Sequence, residues 1–167
     1  MSGEKWDLVD EILDQWERER PDLNCEPMAV FGRLSRLDRA SNVVIEARLG
    51  EHGLNRGEFD VLATLRRGGE PYTLAPTALA RWMMLSSAAM TNRVDRLEAA
   101  GLVERRPDPG DRRGLLVALT PDGKRVVDAA IADHVENERR LLEPLSEEEQ
   151  RTLNALLRKL LLGLQTG

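Results

Sequence analysis

The stretch from Leu102 to Gly123, LVERRPDPGDRRGLLVALTPDG, constrains the fold more than any other segment. Two short apolar runs, Leu102–Val103 and Leu115–Leu119, flank a tip of Pro107, Asp108, Pro109, Gly110, Asp111, Arg112 and Arg113. Pro and Gly punctuate the turn, and aliphatic and β-branched residues suit the strands, so the segment reads as a β-hairpin. Two adjacent guanidinium groups, Arg112 and Arg113, then stand at the exposed end of a stiff ribbon. That placement suits a negative partner, with DNA backbone or minor groove the leading candidate. A merely solvated turn is the plainer alternative.

The residues before the hairpin add a helix. In SSAAMTNRVDRLEAAGL, Met90, Val94 and Leu97 recur at helical spacing on one face. Ser86 suits an N-cap, and Gly101 suits a left-handed helix stop. The opposite face carries Ser87, Ala88, Thr91, Asn92 and Asp95. These side chains are short enough to let the backbone approach a surface, and Thr and Asn bond to base edges or phosphate oxygens. A shorter helix from Pro76 to Met83 and a turn at Met84–Leu85 precede it. The order is helix, turn, helix, wing.

Net charge, −5 over 167 residues, is unusual for a DNA binder until its distribution is read. Residues 1–27 carry nine acidic and three basic side chains, so the remainder is slightly basic at +1. From Arg81 to Arg113 seven Arg stand against five Asp or Glu. Local basic display governs phosphate attraction, and binding of this kind is salt-sensitive. The length suits one domain with a sizeable core. No run reaches transmembrane length, the start MSGEKWDLVDE is acidic, and one Cys forms no internal disulfide, so a cytoplasmic location is expected with no membrane partner. Neither a nucleophile elbow, a phosphate loop nor a zinc signature is present, and no enzyme, cofactor or metal is expected.

Elsewhere the chain reads as helix. Glu4 to Arg20 places Val9, Ile12, Leu13 and Trp16 on one stripe, with Trp6 nearby, and the linker PDLNCEP follows. Met28 to Leu49 forms a long helix with Phe31, Leu34, Leu37, Val44, Ile45 and Leu49 inward, broken by Gly53 before a helix over Arg56–Arg67. Thr120 caps the next helix with Pro121 in its first position. Ser146 with Glu149 opens the last one as a capping box. That last helix carries Leu153, Leu156, Leu157, Leu160, Leu161 and Leu164. So apolar a stripe calls for a partner, either another subunit or its own chain.

The segment TALARWMMLSSAAMTNRVDRLEAAGLVERRPDPGDRRGLLVALTPDG resembles the winged helix of the MarR family of bacterial regulators. Asp111, Arg113 and Gly114 at the wing, followed by the L-T-P-x-G helix start, are the most specific part, and the likeness continues through LNRGEFDVLATLRR. It implies a mainly α fold with a small β-hairpin wing, a winged helix-turn-helix with a helical dimerisation region. One domain is expected over 1–167, with an added N-terminal helix at 4–20, dimerisation segments at 28–50 and 121–164, and the winged helix at 56–119. A homodimer on a pseudo-palindromic double-stranded operator is implied. Its contacts would be Ser86, Ser87, Thr91, Asn92, Arg96, Arg112 and Arg113, with Asp111 orienting Arg113.

The added helix, with its QWERERPDL ending, resembles the urate-responsive branch of that family. The likeness implies a small anionic effector, urate or similar, held by Trp16, Asp60, Arg93 and Arg105. Without effector, an Asp60–Arg93 pair would hold the recognition helix at its working angle; an anion would attract the arginines and repel Asp60. Duller roles exist for each: Trp16 in a core, Asp60 as a surface cap, Arg93 on phosphate. Two other functions remain open at this stage. Cys25 offers oxidant sensing, although Asp22 and Glu26 beside it disfavour the thiolate. A winged helix also serves as a protein-interaction module, against which the paired wing arginines speak.

Overall fold

The computed structural model describes residues 6–165, apart from the side chains of Arg112 and Arg113. The chain falls into two compact units, one ending at Val44 and the other beginning at Ile45.

The first unit starts with α1 (Leu8–Glu19). Asp7 caps it, accepting from the backbone of Val9 and Asp10, while the Asp10 carboxylate accepts from the Asp7 N–H. The helix therefore begins later than the expected Glu4, which lies outside the described residues, and Arg20 ends it as its C-cap. A carboxylate cap explains the shift, since it satisfies the first free N–H groups where it stands. Helix α2 (Glu26–Gly50) begins two residues before the expected Met28, with Pro27 inside its first turn. Val9 is buried against Gly32, where a β-carbon would stand 3.3 Å from a Val9 methyl. Arg33 seals the pair of helices by reaching Asp7 at 2.8 Å and Asp10 at 2.6 Å. Its hydrogen bond holds the Asp7 carboxyl down at about 2. An open apolar cleft of about 430 Å³, lined by Ile12, Leu13, Met28 and Phe31 among others, remains between them. Phe31, Leu37 and Val44 were expected inward and are exposed instead, Leu34 is half-buried, and only Ile45 and Leu49 are buried. A helical apolar repeat marks a face that needs cover without stating where the cover comes from.

The second unit holds α3 (Arg56–Arg67), β1 (Thr73–Leu74), α4 (Pro76–Trp82), α5 (Ser87–Ala99), β2 (Val103–Asp108), β3 (Asp111–Leu119), α6 (Pro121–Leu141) and α7 (Glu147–Gln165). The three strands form an antiparallel sheet in the order β1-β3-β2. Val61, Leu62 and Leu65 of α3 meet Met90, Val94 and Leu97 of α5 in one core with Val117 and Val127. This is the winged helix-turn-helix with its small wing. In α7 no side chain is buried, so the leucine stripe is not packed away within the chain's described residues.

Three helix ends in this unit, those of α2, α4 and α5, share one device. The N–H of Leu102 bonds to the Leu97 carbonyl and that of Gly101 to Glu98, both at 2.9 Å, with Gly101 at φ +72°. Leu54 with Leu49 and Gly53 with Gly50 repeat the pattern, as do Leu85 with Ala80 and Met84 with Arg81. Each closure uses the paired bonds that satisfy the last carbonyls of a helix and drops an apolar residue back onto it. Met84 does so at φ +51° despite its side chain.

Candidate nucleic-acid interface

Helix α5 exists because its ends are paired and one face is apolar. Ser86 Oγ accepts from the Ala89 N–H at 3.3 Å, and Met90, Val94 and Leu97 are buried. The other side exposes Ser87, Ala88, Thr91, Asn92, Asp95 and Arg96. The Thr91 hydroxyl donates to the Ser87 carbonyl at 3.0 Å. Asn92 makes no side-chain hydrogen bond to another described residue.

The wing stands beside this helix and is longer than its sequence suggests. Strand β2 runs to Asp108 and β3 resumes at Asp111, so only Pro109 and Gly110 form the turn. The expected tip of seven residues is thus mostly strand, because the ladder continues past Pro107 with a register shift at Pro107/Asp108. Asp108 accepts from the Gly110 N–H at 2.8 Å and closes the turn, and Asp111 is its cross-strand partner. The Arg112 and Arg113 side chains, expected on DNA, lie outside the described residues, and with them the orienting role given to Asp111.

Arg105 fixes the wing to α5. Its guanidinium bonds to Asp95 and Glu98, and its backbone N–H donates to Glu98 Oε1 at 3.0 Å. The hydrogen bond it donates to Asp95 is the chief reason that this guanidinium is held even more firmly protonated than usual. Asp95 and Glu98 stand three residues apart on α5, so one planar fork reaches both.

The two arginines of α5 itself reach back to the first turn of α3. Arg93 Nη1 donates to the Gly57 carbonyl at 3.5 Å, and a β-carbon on Gly57 would lie 2.7 Å from Arg93 Cζ. Arg96 Nε approaches Glu58 Oε1 at 3.3 Å. Glu58 also closes the capping box of α3, taking the Asn55 N–H at 3.0 Å. Glu58, Glu98 and Gly57 are contacts of the candidate site arginines that the sequence did not single out.

The expected Asp60–Arg93 ion pair does not form among the described residues, because the bare Gly57 backbone gives Arg93 a nearer seat. Asp60 has no hydrogen-bond or ion-pair partner there. Burial pushes its carboxyl above the ordinary range, against the opposing pull of Arg56, Arg93, His134 and Arg67. Trp16 sits exposed on α1 of the first unit, and Cys25 is partly exposed just before α2. No three metal-ligating side chains gather among the described residues, and none of the described helices is long and apolar enough to cross a membrane.

Comparison with known proteins fits this geometry. The MarR family profile matches residues 52–114. The chain is 44% identical over 149 residues to the HTH-type transcriptional regulator PecS of Dickeya dadantii (strain 3937), covering 89% of this chain and 90% of that protein. It is 36% identical over 110 residues to the multiple antibiotic resistance protein MarR of Salmonella typhimurium, covering 62% of this chain and 71% of that one. The crystal structure of a mutant MarR from E. coli complexed with operator DNA superposes with a TM-score of 0.71 at 26% identity, over 87% of this chain and 97% of that one. Identity across nearly the full length, with the same winged-helix architecture, is decisive: the chain belongs to the MarR family of transcriptional regulators, which are not enzymes.

Proposed function

We propose that this chain is a ligand-responsive repressor that binds a pseudo-palindromic operator as a homodimer and is released by a small anionic ligand such as urate. The observation that carries the DNA part is the exposed, short-chained face of α5 beside a wing pinned to it by Arg105. In this reading α5 enters the major groove through Ser87, Thr91 and Asn92, and Arg113 enters the neighbouring minor groove. The solved MarR–operator complex of the same fold supports it. Exposed Leu156, Leu160 and Leu161 on α7, together with Phe31 and Leu37 on α2, support a second copy as their cover.

For the effector we assign Asp60, Arg93 and Arg105, with Trp16 offering an indole ring and N–H to a flat heterocycle. Arg105 already holds two carboxylates, so an anion that captures it competes with Asp95 and Glu98 and unpins the wing. Lowering operator occupancy about 100-fold requires the effector to favour the non-binding state by roughly 2.7 kcal/mol, within reach of two charge-assisted hydrogen bonds.

The test is a fluorescence-anisotropy titration on the DNA upstream of its own gene, with and without urate, and with trans-aconitate as a flexible polycarboxylate. Release by urate that is lost in Arg93→Ala or Trp16→Phe protein, both still binding DNA, is the expected result. Tight binding untouched by either compound keeps the DNA role and removes the effector assignment.

A further inference from the structure

We propose that Asn92 is the side chain by which α5 tells one base from another, and that the base it reads is adenine. This rests on the DNA-binding reading above and goes on to the sequence that is read.

Most polar groups on α5 are already engaged. Ser86 Oγ is held by the Ala89 N–H, and the Thr91 hydroxyl proton is given to the Ser87 carbonyl. Asp95 is bound to Arg105, Arg93 is turned back to Gly57, and Arg96 is paired with Glu58. Ser87 keeps its hydroxyl, but one rotating O–H donates or accepts and so suits any base. Asn92 is exposed, six residues past the N-cap, in the part of the helix that enters a major groove. Its amide offers a donor and an acceptor side by side, with no partner among the described residues.

Base chemistry then selects the partner. Adenine presents N7, an acceptor, next to the N6 amino donor, which matches a carboxamide in two hydrogen bonds. Guanine presents two acceptors, N7 and O6, and calls for a guanidinium or ammonium group. Of the α5 arginines that would supply one, Arg93 is turned back to the Gly57 carbonyl and Arg96 is held to Glu58 through Nε. Thr91 is exposed with its hydroxyl proton committed, and its methyl suits a neighbouring thymine methyl. The surface is built for an A·T pair.

The experiment is selection from a duplex pool with a randomised core, using the full wild-type chain and Asn92→Ala. The substitution is exposed and helix-favouring, so the fold is kept. Wild type is expected to fix an adenine at one position in each half-site, and Asn92→Ala to keep the rest of the motif while losing that adenine. Replacing this adenine with 7-deazaadenine, which lacks N7, should weaken wild type about tenfold and leave Asn92→Ala unchanged. An intact motif bound uniformly more weakly by Asn92→Ala would make Asn92 a phosphate contact and overturn the inference. A G·C pair at the Asn92-dependent position would overturn it equally. A wild-type pool with no motif would overturn the DNA-binding reading itself, a result distinct from the other two.

Discussion

A β-carbon on Gly123 would stand 1.8 Å from the carbonyl oxygen of Leu102, so the first turn of α6 rests directly on the peptide that ends α5 and begins the wing. The same oxygen accepts from the Thr120 N–H at 3.2 Å, and the Thr120 hydroxyl donates to the Gly101 carbonyl at 2.8 Å. Thr120 also caps α6 by accepting from the Gly123 N–H.

Gly123→Ala therefore meets backbone, which has no rotamer to yield. Destabilisation of about 3 kcal/mol or more is expected, read as a lowered midpoint in urea unfolding. A midpoint within error of wild type would show that the contact is looser than it stands here.

Gly57→Ala makes the opposite kind of contact. Its methyl would meet the end of the flexible Arg93 side chain, so the fold survives and Arg93 is displaced. Operator affinity should fall about threefold or more, and the same substitution should be neutral in an Arg93→Ala background. Equal losses in both backgrounds would mean that Gly57 acts otherwise than through Arg93.

Asp60 gives a pH signature. Burial raises its carboxyl in the folded chain above the unfolded value, so proton binding favours folding in acid and that gain is lost as pH rises through the folded value. Asp60→Asn should be more stable than wild type at pH 7, with the difference shrinking as pH falls through the raised folded value and gone below about pH 4. Urea unfolding of both proteins across pH checks this; a difference independent of pH would contradict it. Weaker operator binding or blunted urate release should accompany it.

Arg113→Ala should weaken operator binding by about 1–3 kcal/mol. Anisotropy measured at several salt concentrations separates a lost base contact from a lost phosphate contact, since only the latter flattens the salt slope by about one. Unchanged affinity would remove the wing from the interface.

Local chemistry made much of this fold legible. Arg56–Arg67 was bounded correctly by its apolar pattern and Gly53, and Ser86, Thr120 and Ser146 were read as caps from side chains that bond to nearby backbone. Strand β1, two residues after Pro71, was too short to show a period and takes its place by pairing Thr73 with Ala118 and Leu74 with Val117. Long side chains were harder still. Whether Arg93 meets Asp60 or the Gly57 carbonyl depends on space beside α3, and that space is created by a residue 36 positions away. The carboxylates that occupy Arg105 were visible as residues but not as its partners, since a wing and a helix meet only after folding.

The Arg105 clamp has a consequence for solution behaviour. The wing's seat on α5 is written partly in charge, through one cation shared by two partly exposed anions. Mobile ions compete for such a link, so the ribbon softens as ionic strength rises even with no nucleic acid present. Salt then acts on this protein twice, once on the ions around the duplex and once on the stiffness of the hand that grips it.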